Sequence, residues 1–148
     1  MSQSLSKLYT HIIYHIKNTS VEIKKEDKSE LYTYIGSIIN GVEDHVHILC
    51  VMSKNIALAK LVEEIKRHSS RWIKTKSSYY NKFAWQGACL PAWQGYGGFS
   101  ISPSLHDKTK RYIQNQEKHH EKMGFKEEYI MFLEEYGIAY NENYLWID

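Results

Sequence analysis

Cysteine is scarce. Cys50 and Cys89 are the two thiols of a 148-residue chain and share no C-x-x-C spacing, which argues against a disulfide framework or a thiolate zinc site and reads as two reduced cysteines. Long apolar runs are also missing. No stretch approaches the roughly 20 residues of a membrane span, and the opening MSQSLSKLYTHIIYHIK lacks a signal-peptide core. A cytoplasmic protein with no membrane partner is expected. Net charge is small, at +2. What remains is ample core material, 43% hydrophobic and 14% aromatic, enough for one domain spanning residues 1–148.

The small net charge hides an asymmetry. Between Lys54 and Lys82 eight basic residues face only Glu63 and Glu64, a local +6, whereas Glu121 to Asp148 holds seven acids and two lysines, a local −5. This points to a polyanion-binding face set against an acidic tail, with an ordinary solvated helix face as the plainer reading.

The stretch EDHVHILC, Glu43 to Cys50, is the sharpest feature. Val46, Ile48, Leu49, Cys50, Val51 and Met52 make a short, partly β-branched run, so a strand is expected. Strand side chains alternate, which puts His45 and His47 on one face, spaced to chelate one divalent cation. The alternative is a pair of half-exposed histidines on a sheet.

Around this strand the scaffold reads as follows. Leu8 to Lys17 forms a strand, with His11 and His15 as surface or core-edge residues. Leu31, Tyr34, Ile35, Ile38 and Ile39 fit a helix running through ELYTYIGSII, in preference to a strand closed by an Asn40-Gly41 hairpin turn. Ser53 or Asn55 caps an amphipathic helix with Leu58, Leu61, Val62, Ile65, Trp72 and Ile73 on its apolar stripe and Lys66, Arg67, Arg71 and Lys74 on the other side. AWQG then occurs twice, from Ala84 and from Ala92. Its aromatics Trp85 and Trp93, with Tyr96 and Phe99, either stack bases or fill a core, and Gly95, Gly97 and Gly98 permit unusual backbone angles. Phe99 to Ser102 enters another strand. Pro103 and a Ser104/Asp107 capping box open the next helix, on which Tyr112 and Gln116 lie one turn apart. His119 and His120 read as plain helix-surface residues.

Together DHVH (Asp44 to His47), KRHSSRWIK (Lys66 to Lys74), WQGYGGFSIS (Trp93 to Ser102) and YIQNQ (Tyr112 to Gln116) resemble the single-tyrosine transposases of the smallest bacterial insertion sequences, a branch of the HUH nucleases. The resemblance implies an α+β fold, an antiparallel sheet flanked by helices as in ferredoxin and RNA-recognition folds. It implies His45, His47 and Gln116 as ligands of Mg²⁺ or Mn²⁺ and Tyr112 as the nucleophile that cuts single-stranded DNA. Lys66, Arg67, Arg71, Lys74, Trp93 and Tyr96 are the expected DNA contacts. The partners are single-stranded DNA hairpins and a second copy of the chain, with active sites shared between protomers and GYGGFSISPS as the hinge; a nucleoid-associated cytoplasmic location follows. Two departures stand out. The family's strand before the histidine strand has no counterpart if the helix runs to Ile39, and the doubled AWQG looks like an insertion of about eight residues.

The chemistry is arguable from the residues alone. Forming a phenolate at pH 7 costs roughly 4 kcal/mol from a pKa near 10, and a cation beside the phosphate offsets such a cost. Phosphotyrosine conserves the bond, so the reverse reaction joins a new strand. The rival readings are a domesticated nuclease acting on hairpin repeats and a non-catalytic single-strand binder.

Overall fold

The computed structural model describes residues 2–36, 38–87 and 95–147. Trp93, with most of the second AWQG copy, lies outside them. The chain runs β1 (Leu8–His15), α1 (Lys25–Ile35), β2 (Ile38–Val42), β3 (His45–Met52), α2 (Leu58–Lys74), β4 (Gly97–Ile101), α3 (His106–Gln114), α4 (Gln116–His120), α5 (Phe125–Glu135) and α6 (Glu142–Leu145). The four strands form one sheet in the order β2-β3-β1-β4, antiparallel at every junction. Two strand-helix-strand halves interleaved this way are the ferredoxin-like arrangement, so the expected α+β fold is the observed one.

Alternation along the strands splits the core in two. Ile12, Tyr14, Val46 and Ile48 point to one face and pack with Leu31 of α1 and Val62 and Ile73 of α2. Ile13 and Phe99 point to the other and pack with Tyr129, Phe132 and Leu133 of α5. Both faces are therefore covered. His45 and His47, on the α5 side with Ile13, are fully buried, not half-exposed.

The stretch ELYTYIGSII divides where a single helix was expected. Gly36 adopts the left-handed conformation, φ 73°, and its N–H caps Tyr32 O, which ends α1. Ile38 and Ile39 then begin β2, which pairs with β3, so the strand doubted at the sheet edge is present. The hairpin turns at Glu43 and Asp44, not at Asn40-Gly41. Gly41 serves a different end: a Cβ there would stand 2.1 Å from the His45 carbonyl oxygen. The strand approaches the histidine strand too closely for any side chain.

Three further expectations change. Neither Ser53 nor Asn55 caps α2, whose N-cap position is Ala57. The Ser104/Asp107 capping box does not form, because a 3₁₀ turn at Pro103–Leu105 precedes α3, Ser104 Oγ lies 3.2 Å from Ser102 Oγ and Asp107 pairs with His106. Gly97 and Gly98 are β4 residues paired with β1, and a Cβ on them would meet Tyr129 at 2.7 Å and Leu58 at 2.5 Å. They admit close packing within the strand.

Candidate metal and nucleophile site

Every strand-borne part of the site follows from β3 alternation. His45 Nδ1 lies 2.7 Å from Asp44 Oδ1, in the adjoining turn. His47 Nδ1 lies 2.9 Å from His11 Nε2 across the β1 pairing. Both contacts use the Nδ1 edge, leaving each Nε2 to face the same point. A carboxylate reaches that point from α5: Glu128 Oε1 is 2.8 Å from His47 Nε2 and 3.3 Å from His45 Nε2. Among the described residues His45 Nε2 is buried with no well-directed hydrogen-bond partner, Glu128 Oε1 approaching it at 3.3 Å. His120 of α4 completes the ring, with Nε2 3.2 Å from Glu128 Oε1 and 3.1 Å from Gln116 Oε1.

The ligand atoms of His45, His47, His120 and Glu128 lie within 4.8 Å of one another. Metal–nitrogen bonds of about 2.1 Å would need only small side-chain shifts from that spacing. Three imidazoles and a carboxylate are metal-ligand chemistry, so the residues fit a divalent ion.

Tyr112 arrives from α3, half-buried, its ring stacked on His119 at 4.4 Å between centroids. Its hydroxyl donates to Glu128 Oε2. One carboxylate thus touches the histidines through one oxygen and the tyrosine through the other. Gln116, one turn on, is fully buried with its amide oxygen toward His120.

The electrostatics follow from burial. His47 is pushed down to about 4 and His11 to about 3, in both cases chiefly by desolvation. For His45 burial opposes the charge, but Asp44 and Glu128 together raise its pKa. Burial would raise Glu128, yet the surrounding imidazoles and the Tyr112 hydroxyl hold it well below the usual carboxylate range. Tyr112 is raised above an ordinary phenol, first by burial and then by Glu128.

The expected DNA contacts fare unevenly. Arg71 and Lys74 are exposed on α2, on the sheet face opposite the histidines. Arg67 is half-buried and donates to Glu64 at 2.6 Å. Lys66 is a correction: it is fully buried, donating to Gln86 O at 2.9 Å and Gly95 O at 2.8 Å. Its position repeats with Val62, Ser69 and Ile73, the buried side of α2, so it cannot reach a phosphate. Tyr96 is half-buried against the α2-side core. Trp85 fills that core completely.

Glu128 was missed by sequence reasoning, and His11 and His120 were read as peripheral, whereas His11 is buried and His120 joins the cluster. The signals existed. Glu128 occupies an apolar position of α5, with Phe125, Tyr129, Phe132 and Leu133 at helical spacing around it, where an acid has no place without a partner. His120 continues the Tyr112, Gln116 spacing by one more turn.

No curated protein matches the chain. A solved structure of a Deinococcus radiodurans R1 protein described as a transposase is 20% identical, spanning 78% of this chain and 98% of that one with a TM-score of 0.46. The family described as transposase IS200-like matches residues 4–116. The chain therefore belongs to the IS200-like transposase family.

Proposed function

We propose that this transposase cleaves and rejoins single-stranded DNA at hairpin-marked element ends, with Tyr112 as nucleophile. The observation that carries the reading is the Tyr112 hydroxyl seated on Glu128, whose other oxygen lies 2.8 Å from His47. The phenol oxygen attacks phosphorus, the bond from phosphorus to the 3′ oxygen breaks, and the strand departs with a free 3′-hydroxyl. The 5′-phosphotyrosine left behind is attacked in turn by another 3′-hydroxyl, which rejoins DNA and releases the tyrosine.

His45 and His47 would hold Mg²⁺ or Mn²⁺, and the ion would supply Lewis-acid polarisation of the scissile phosphate and neutralisation of developing charge. Asp44 and His11 fix the two rings from their Nδ1 edges, so that each Nε2 is presented. Gln116, the third ligand implied by the resemblance, stands behind His120. The His119 ring orients Tyr112 by stacking. Arg71, Lys74 and Tyr96 hold the DNA hairpin away from the cut. A homodimer is the working unit.

Incubation with labelled single-stranded DNA from the element ends and Mn²⁺, followed by denaturing electrophoresis, should give a covalently shifted band that Tyr112→Phe abolishes. A band that survives in Tyr112→Phe removes Tyr112 as nucleophile.

A further inference from the structure

We infer that His120 Nε2 and Glu128 Oε1 are direct metal ligands beside His45 and His47, giving a three-imidazole, one-carboxylate site that selects Mn²⁺ or another first-row transition ion over Mg²⁺. This rests on the two strand histidines being metal ligands and is independent of the phosphotyrosine chemistry.

The geometry is convergent. Three Nε2 atoms surround one carboxylate oxygen at 2.8, 3.3 and 3.2 Å, and one of them, on His45, has no well-directed hydrogen-bond partner among the described residues. Three of the four ligands are shielded from solvent, His45 and His47 being fully buried and Glu128 1% exposed, while His120 is half-buried at the rim. A buried carboxylate among imidazoles is costly unless a charge or hydrogen bonds compensate it. Hydrogen bonds with His47, His120 and Tyr112 supply that compensation while Oε1 stands at the convergence point; a cation drawn in between the four donor atoms would take over the bonds to Oε1.

Donor type then decides the ion. Mg²⁺ prefers oxygen, keeps several waters and binds through one or two carboxylates. Imidazoles favour the transition series, and a carboxylate adds compatibility with Mn²⁺. Gln116 is thereby displaced from the ligand shell: its amide oxygen accepts from His120 Nε2 at 3.1 Å while the site is metal-free, and that bond is given up when the same nitrogen takes the ion. Glu128 acquires a second task. With Oε1 on the ion, Oε2 still accepts from Tyr112, so one side chain tethers the nucleophile beside the ion.

Glu128 and His120 both lie beyond residues 4–116, the span matched by the family. Their contribution belongs to the C-terminal helices of this chain.

The full-length protein, stripped of metal, should be titrated with Mn²⁺ and followed by electron paramagnetic resonance. Wild type should show nitrogen couplings from three imidazoles, and a hundredfold excess of Mg²⁺ should leave most Mn²⁺ bound. His120→Ala should reduce the couplings to two, and Glu128→Gln should weaken Mn²⁺ at least tenfold. Displacement of Mn²⁺ by equal Mg²⁺, or only two couplings in wild type, overturns the inference without recourse to any variant. Tighter Mn²⁺ binding in Glu128→Gln also overturns it, since the carboxylate would then occupy the cation's place. A DNA adduct formed equally well with Mg²⁺ and Mn²⁺, together with failed selectivity, sinks the inference alone; correct metal binding without an adduct sinks the proposed function alone.

Discussion

Lys66 shows how a single buried charge marks the stability of this protein. Its ammonium sits between the carbonyls of Gln86 and Gly95, 4.9 Å from the Tyr14 ring centroid, and burial lowers its pKa from 10.5 to about 7. The folded state therefore sheds this proton where the unfolded chain keeps it. Between pH 7 and 10.5 the unfolded state binds more protons, so the contribution is complete at the alkaline end and is lost as pH falls toward 7. Each unit in that window is worth about 1.4 kcal/mol. Urea unfolding at pH 7 and pH 9 should show wild type gaining about 2 kcal/mol more than Lys66→Met over that interval. Parallel curves for the two proteins would mean that Lys66 titrates as an exposed lysine does.

At the scale of elements, the β2-β3 hairpin positions the histidines through a backbone contact. Gly41→Ala would drive a Cβ to 2.1 Å from the His45 carbonyl oxygen and 2.9 Å from Val46 Cα, so the hairpin must shift. A loss of about 1–3 kcal/mol is expected, together with weakened Mn²⁺ binding. Gly124→Ala is the control: nothing lies within 4 Å of the added carbon, and the cost should stay below about 1 kcal/mol. Thermal melts of both variants check the contrast. Helix α2 carries a separate prediction. Arg71→Ala with Lys74→Ala should flatten the salt dependence of single-stranded DNA binding by up to about 0.7 log units per lost contact. An unchanged slope would show that this face does not touch DNA.

At the scale of the whole molecule, the sheet separates two surfaces. The basic helix α2 covers one face and the acidic α5 covers the other, and the proposed metal ligands His45 and His47 lie beneath α5. Tyr112 can reach Glu128 beside the histidines within a single chain, so a site complete in one protomer is the expectation to set against the shared site implied by the resemblance. Gly97 and Gly98 are closely packed within β4, and the exchange hinge implied for GYGGFSISPS would have to open that packing. Mixed dimers test this directly: a His45→Ala, His47→Ala chain combined with a Tyr112→Phe chain should stay inactive, with subunit exchange verified by tagged copies. Cleavage restored on mixing would show that the tyrosine crosses between protomers. Among the described residues no helix is long and apolar enough to span a membrane.

The sequence by itself determined what is local and periodic. Alternation placed His45 and His47 on one face, the apolar stripe placed α2, and a four-residue spacing brought Tyr112 and Gln116 together across the break between α3 and α4. Glycine chemistry at Gly36 was equally local and could have been read. Other features depended on residues far apart in the chain. His47 and Glu128 are 81 positions apart, and no spacing rule links a strand to a helix at that distance. Lys66 and Arg67 are neighbours in sequence, yet one is sealed by the carbonyls of Gln86 and Gly95 and the other reaches toward solvent, because only the folded chain brings that loop against α2. Charge pattern and periodicity describe what a segment can present; burial and partners are set when distant segments close over it, and those decided which histidines, which acid and which lysine belong to the interior.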